Sequence, residues 1–434
     1  MTGTEGVICV LKPPGMSSSD AVTDIRRVLN EKRVGHTGTL DPAAAGVLPI
    51  LVGRATRLFD FLVDKQKEYV AEIVFGKATD TEDATGEVTA VSDKKVSAAE
   101  LEAAFSAFTG EIEQTPPVYS ALNVNGEKLY KLARKGKLTE TPETKKRTVT
   151  IYGLGLIRQT GENRFLIRIV CSKGTYIRTL CKDLGAACGC PAYMGFLLRT
   201  RSGAFRLEDS YSVSEIAEFK EQGRLDEAII PMDRAIPFIP EIRLSGLSAK
   251  NRNLLIHGAG IDLNNAVPGK PHRIYLDGEF LGLGEVKDGK LVITVWLGDE
   301  AHQLKGMKIE GRVEKENGIG RKLGFPTANL TGYDKRQLPS EGVYATAAYL
   351  DGTAYPAVTS IGRNPTFNAE KLTVETHIMG FDGDCYGKRL TVCFIKKLRP
   401  MMKFDSAEEL KAQIAKDAKE AEKLARSSKY TENI

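Results

Sequence analysis

No stretch of this chain approaches the roughly 20 consecutive apolar residues that a membrane helix needs, so no membrane partner is expected. The first residues lack a basic-then-apolar pattern, so no secretory leader is expected and a cytoplasmic location follows. Cysteine is sparse and irregular: seven residues, an odd count without framework spacing, which points to reduced thiols. Cys171, Cys181, Cys188 and Cys190 lie near one another but lack the paired CxxC spacing of a zinc site. There is no GxxxxGK[ST], so any phosphate chemistry would not use a P-loop. A large charge excess is also missing, with a net of +5 over 434 residues.

The composition is that of a soluble globular chain, 42% hydrophobic and 27% charged. Its length implies two to four domains. The charge is uneven: from Glu127 to Arg147, eight Lys and Arg stand against three Glu. Such a cluster suits phosphate contacts, and it equally suits a solvated helix and loop.

In chain order, Gly6–Leu11 predicts a strand, and Lys12-Pro13-Pro14-Gly15-Met16 a turn. Ser19 is placed to cap a helix whose apolar face is Ala21, Val22, Ile25, Val28 and Leu29. Arg54–Leu62 reads as a short helix and Tyr69–Phe75 as a strand. Thr79–Gly86 is a polar turn, and Ser97 with Glu100 forms a capping box for the next helix. Phe165, Ile167, Ile169 and Cys171 alternate as a strand that runs through Ser172-Lys173-Gly174 into a helix. Arg178 in the first turns of that helix opposes the helix dipole, which suggests a carboxylate partner. From Ile230 to Leu297 the pattern is β-rich, with Asp277-Gly278 and Asp288-Gly289 as hairpin turns. After a polar linker (Gly298–Gly306), strands are expected at Val343–Leu350, Tyr355–Ser360, Leu372–Ile378 and Leu390–Leu398. Asp351-Gly352 is a further turn, and Ser406 with Glu409 caps a final helix.

The organising stretch is Gly35-His36-Thr37-Gly38-Thr39-Leu40-Asp41-Pro42. It sets one carboxylate among small residues before an apolar run to Val52. A carboxylate on such a turn can serve as nucleophile or base, and an Asp-Pro turn can also be purely structural.

With Lys12–Met16, Lys67-Glu68-Tyr69, Tyr119-Ser120-Ala121 with Gly126, and Ser172–Arg178, this octapeptide resembles the tRNA pseudouridine-55 synthase family. The resemblance covers about residues 1–300. It implies a cofactor-free isomerisation of a T-loop uridine, flipped out of the RNA. Asp41 would attack C1′ or remove the C2′ proton, and both routes remain open. Tyr69 would stack on the base and is a candidate for proton removal from C5. Arg178 would pair with Asp41. His36, Leu197 and Lys173 would lie by the RNA, and Lys128, Lys131 and Arg134 would grip it from the basic segment. Asn123 and Leu198 stand where that family usually has Lys and Arg, which touches RNA grip more than chemistry.

From about Met307 the chain resembles riboflavin kinase. The matching residues include Gly311, Gly320–Asn329, Gly342-Val343-Tyr344, Gly362–Phe367, Val374-Glu375-Thr376-His377, Tyr386-Gly387 and Leu398-Arg399. The resemblance implies that Gly318, Gly320 and Gly324 cover the ATP phosphates, that Thr327 and Asn329 meet Mg²⁺ and phosphate, and that Glu375 is the base. Arg399 would lie by riboflavin, near Met401, which replaces an acid common in that family. The HxGH motif of an accompanying adenylyltransferase is not present, so FMN and not FAD is the expected product.

The expected fold is α+β: a synthase domain with a mixed sheet and helices (1–230), a small PUA-like β module (231–300), and a six-stranded barrel with a terminal helix (307–434). The expected partners are tRNA, ATP and riboflavin, with Mg²⁺ for the kinase part, and a monomer is favoured. Two other readings stand beside this one. In one the barrel holds flavin or nucleotide without catalysis. In the other the chain is an RNA chaperone with a dispensable isomerase activity.

Overall fold

The computed structural model describes residues 5–63, 66–117, 123–124, 127–128, 146–256, 258–263, 268–298, 304, 307–315, 324–334, 338–363, 372–402, 404 and 406–427. The chain divides into two compact units, Met1–Phe238 and Ile239–Ile434.

The first unit is built on a ten-stranded sheet. Its strands are β1 (Gly6–Lys12), β2 (Val34–His36), β3 (Ala45–Val52), β4 (Lys67–Phe75) and β5 (Gly110–Gln114). They continue with β6 (Arg147–Gly161), β7 (Arg164–Cys171), β8 (Ala192–Ser202), β9 (Phe205–Arg206) and β10 (Ile229–Ile230). The order is β10-β1-β3-β8-β4-β7-β6-β5, with β2 beside β3 and β9 beside β8. Period-2 alternation directs Tyr69, Ala71 and Ile73 of β4 and Phe165, Ile167 and Ile169 of β7 into one core. Helices α2 (Ala98–Phe105) and α3 (Ile177–Ala187) close that core with Leu101, Phe105, Leu180 and Leu184. Helix α1 (Ser18–Leu29) lays Ala21, Val22, Ile25 and Leu29 on a second core with Ile8, Val10, Leu48 and Ile50.

One local expectation is corrected and one is refined. Helix α1 is capped by Ser17, not Ser19. Ser17 Oγ accepts from Asp20 N, and the Asp20 carboxylate accepts from Ser17 N at 3.0 Å, a reciprocal box that Ser19 has no residue to complete. Arg54–Leu62 is helical as expected, in two kinds of turn. A 3₁₀ stretch over Gly53–Leu58, tightened by Thr56 Oγ1 donating to Gly53 O, passes into a single α turn at Phe59–Leu62.

The second unit holds a five-stranded sheet and a closed barrel. The sheet contains β11 (Glu241–Leu244), β12 (Ile261–Asp262), β13 (His272–Leu276), β14 (Glu279–Lys287) and β15 (Lys290–Trp296), in the order β11-β13-β14-β15-β12. The barrel contains β16 (Lys308–Glu314), β17 (Ala328–Thr331), β18 (Gly342–Leu350), β19 (Thr353–Arg363), β20 (Leu372–Ile378) and β21 (Arg389–Arg399). It closes as β16-β17-β20-β19-β18-β21. The three Asp-Gly turns all have positive φ at both residues, 51° and 86°, 51° and 73°, and 51° and 83°, as a tight hairpin requires. The lumen is filled by Tyr344, Ile361, Val374, Ile378, Val392 and Phe394. A terminal helix, Ala407–Ser427, seats Ala421 and Leu424 on the outer face beside Val343, Ala345, Val358 and Ile395. The mixed α+β architecture with its six-stranded barrel and terminal helix is the one expected from sequence. Among the described residues no helix is long and apolar enough to cross a membrane.

Candidate active sites

The Asp41 loop crosses between β2 and β3, and its backbone is held from Gly38 to Pro42. Gly38 O accepts from Arg199 Nη2 at 3.1 Å, and Thr39 O from Arg199 Nη1 at 3.4 Å. Leu40 is clasped by Ser18, whose Oγ accepts from Leu40 N at 2.9 Å and donates to Leu40 O at 3.1 Å. Asp41 O accepts from Ala44 N, and Pro42 O accepts from Gly15 N and Lys12 Nζ. Five consecutive carbonyls are thus bonded, and the loop has no slack through which Asp41 could drift.

The Asp41 carboxylate itself faces outward, with its side chain 41% exposed. Arg178 Nε stands 3.0 Å from Asp41 Oδ2. The guanidinium is 7% exposed and is fixed from behind, donating to Thr81 O at 3.2 Å with Asp83 Oδ2 at 3.8 Å. Asp83 is anchored in turn by Thr81 and Thr85, and Glu82 binds Thr179 Oγ1 and Lys182 Nζ of α3. The Thr79–Gly86 turn, which reads from sequence as mere polar loop, is therefore the brace that aims Arg178.

Behind the loop, one row of side chains runs across four strands. Lys12 of β1 lies opposite Gly46 of β3, Gly46 opposite Arg199 of β8, and Arg199 opposite Tyr69 of β4. Lys12, Arg199 and Tyr69 are all buried. Gly46 has φ +114°, and a Cβ there would meet Arg199 O at 2.2 Å, so only glycine lets the strands meet at this point. Lys12 Nζ donates to Pro13 O at 2.7 Å and Met16 O at 2.6 Å as well as to Pro42 O. Burial pushes Lys12 down to about 8; nearby Asp41 pulls it back up, and Arg199 adds to the fall. Burial raises the Tyr69 hydroxyl, with the Arg199 guanidinium acting in the other direction. The ring thus sits as a neutral phenol near neutral pH.

The remaining predicted residues fall as follows. Leu197 is buried in the core that also contains Leu40, Ala44 and Tyr69, so it lines the site from beneath. His36 is half-buried, and its Nδ1 accepts from Gly38 N at 3.3 Å. Lys173 is exposed at the β7–α3 junction, where Tyr176 N donates to Gln114 Oε1 at 3.0 Å. Lys128 ends a short hairpin strand paired with Asn123–Val124. Tyr119, Ser120, Ala121, Gly126, Lys131 and Arg134 lie outside the described residues, as do Gly318 and Gly320.

In the barrel, lumen-facing Val374, Thr376 and Ile378 leave Glu375 on the outer side of β20, in register with Asn329 of β17. Thr327 Oγ1 donates to Glu375 Oε2 at 3.5 Å, and Asn329 Oδ1 is buried without a hydrogen-bond partner among the described residues. Thr327 and Asn329 stand at a cleft that Pro326, Thr376, Asp384 and Tyr386 also line, and Glu375 adjoins it through Thr327. An orphaned amide oxygen beside a hydroxyl and a carboxylate is a hard-oxygen donor set that fits Mg²⁺. Gly324 is exposed with φ +86° just before these residues. Arg399 Nε donates to Asp417 Oδ2 at 2.9 Å, which ties β21 to the terminal helix.

Sequence reasoning missed Arg199, Ser18, Lys12 as an anchor, and the Glu82/Asp83 brace. One signal was available. Arg199 follows Leu197 by two residues in an alternating strand, which puts a cation on the inward face.

Comparison with known proteins bears on both parts of the chain. Residues 26–177 match the TruB family pseudouridylate synthase (N terminal domain), and residues 178–237 the tRNA pseudouridylate synthase B C-terminal domain. Residues 304–425 match riboflavin kinase. The chain is 41% identical over 286 residues to tRNA pseudouridine synthase B of Alkaliphilus oremlandii, covering 65% of this chain and 93% of that protein. It is 46% identical over 248 residues to the protein of the same name from Geobacillus thermodenitrificans, covering 56% and 81%. Among solved structures, an H/ACA RNP bound to a substrate RNA containing 2'-deoxyuridine is similar with TM-score 0.52 and 25% identity, covering 68% of this chain and 86% of that one. The chain belongs to the tRNA pseudouridine synthase B family and carries a riboflavin kinase domain at its C-terminal end.

Proposed function

We propose that this chain isomerises uridine 55 of the tRNA T-loop to pseudouridine, and that its barrel phosphorylates riboflavin to FMN with Mg-ATP. The observation that carries the first activity is the Asp41–Arg178 pair on a loop with five consecutive bonded carbonyls, Gly38 to Pro42. Isomerisation detaches the base from C1′, turns it and rejoins it through C5. Asp41 is exposed enough to reach a ribose and is aimed by Arg178. It acts on C1′ as a nucleophile or on the C2′ proton as a base. Tyr69 and Leu197 supply an apolar floor for the flipped uracil. Because burial keeps Tyr69 protonated, its part at rest is contact with the base, and proton removal from C5 needs the nearby guanidinium to help.

In the barrel, Glu375 accepts the proton of the riboflavin hydroxyl as it attacks the γ-phosphate. Thr327 and Asn329 would hold the metal and phosphate oxygens. Mg²⁺, when bound with ATP, neutralises charge that builds on the phosphates. On this reading the chain divides into a synthase domain, a PUA-like module and a kinase barrel, and the basic Glu127–Arg147 segment grips RNA.

Purified full-length protein tests both parts. A T-arm RNA should gain pseudouridine with wild type and not with Asp41→Asn. Riboflavin with Mg-ATP should yield FMN with wild type and not with Glu375→Gln. FMN-free mixtures in both barrel samples would leave a flavin- or nucleotide-holding module in place of a kinase.

A further inference from the structure

Arg199 is among the largest fully buried side chains of the protein, 1% exposed. A cation at that depth requires partners. Here they are backbone carbonyls: Val47 O at 2.7 Å from Nε, with Gly38 O and Thr39 O on the two terminal nitrogens. These three carbonyls come from both ends of the Asp41 loop. Gly38 and Thr39 precede Asp41, and Val47 follows it on β3. On the other side, Arg199 is the cross-strand neighbour of Tyr69. One planar fork therefore touches both halves of the loop and faces the aromatic ring.

We propose that Arg199 is a positioning residue, which fixes the Asp41 loop and the Tyr69 ring in one relation so that carboxylate and base platform meet the same nucleotide. This rests on the reading that Asp41 and Tyr69 act on the uridine. A guanidinium suits the task because its donors are held in one plane. Three bonds to carbonyls from separate places can be made only if those carbonyls stay in a fixed triangle. An ammonium cannot copy it. Arg178 acts on the Asp41 carboxylate from α3, whereas Arg199 acts on the loop backbone from β8, so the two arginines grip different atoms from different elements.

The test is single-turnover isomerisation of a T-arm RNA by full-length Arg199→Lys, with RNA affinity and the unfolding midpoint measured on the same protein. The expected result is a loss of about 100-fold in rate, with affinity within about threefold and a midpoint that is lowered but still well above the assay temperature. Tyr69→Phe should also be slow. Adding Arg199→Lys to it should cost little more, because the two side chains work as a unit. Arg199→Gln, which keeps a donor but not the fork, is the second variant and should show the same split. A folded Arg199→Lys or Arg199→Gln protein with wild-type rate overturns the proposal. So does a loss confined to RNA affinity, or losses that multiply with Tyr69→Phe. Asp41→Asn run beside them separates the two ideas. If it is active, the reading of the whole site fails. If it is inactive while the Arg199 variants are normal, the role of Arg199 alone is wrong.

Discussion

Arg178 Nε lies 3.0 Å from Asp41 Oδ2 while its Nη1 donates to Thr81 O, so one guanidinium joins the exposed carboxylate to the Thr79–Gly86 brace. Arg178→Lys keeps the charge but loses the second attachment. Its rate of pseudouridine formation should fall about 100-fold, since a displacement near 1 Å is enough for that. Single-turnover assays on T-arm RNA check this. An unchanged rate would show that the brace has no part in aiming Asp41.

Lys12 gives a stability prediction with a definite sign. Folding lowers its pKa from 10.5 to about 8, chiefly through burial. Below pH 8 both folded and unfolded chains carry the proton, and the burial penalty is fully present. Between about 8 and 10.5 the folded chain releases the proton while the unfolded chain keeps it. Unfolding free energy from this group therefore rises with pH across that window. Denaturant unfolding at several pH values should show the rise in wild type and a flatter profile in Lys12→Met. Equal slopes would contradict it.

Leu197→Ala removes a buried side chain from the core shared by Leu40 and Tyr69. A loss of about 3 kcal/mol in stability is expected, measurable by denaturant titration. If the folded variant also isomerises RNA more slowly at temperatures well below its midpoint, Leu197 supports the base as well as the core. A normal rate there would leave it as core alone.

Arg399 and Asp417 form a pair with side chains only 13% and 6% exposed. Arg399→Met leaves Asp417 buried beside Gln413, so a destabilisation of about 3 kcal/mol is expected. Riboflavin affinity, measured under folded conditions, should change little. A large loss of affinity with the stability intact would instead place Arg399 at the ligand.

Local features were readable from sequence because their causes are local. Asp277-Gly278, Asp288-Gly289 and Asp351-Gly352 announce turns because few other pairs accept positive φ twice. Capping at α1 was displaced by two residues because three serines in a row compete, and the reciprocal acid at Asp20 selects Ser17. Asp41 and Arg178 could be matched from the resemblance and from a cation opposing its own helix dipole. What could not be read is contact across sequence distance. Arg199 reaches Gly38 from 161 positions away, and Ser18 reaches Leu40 from 22. The Arg199 bond exists because β3 and β8 pair in parallel at Gly46, a register that no short window of sequence contains. The closing order of the barrel is hidden for the same reason, although each of its long strands is visible alone.

The central claim is that one chain carries two independent active sites. The most direct measurement assays full-length wild type, Asp41→Asn and Glu375→Gln for both pseudouridine in T-arm RNA and FMN from riboflavin and Mg-ATP. The account predicts a crossed result, in which Asp41→Asn forms FMN but no pseudouridine, and Glu375→Gln forms pseudouridine but no FMN. Pseudouridine formed by Asp41→Asn at the wild-type rate, or FMN formed by Glu375→Gln at the wild-type rate, would contradict it.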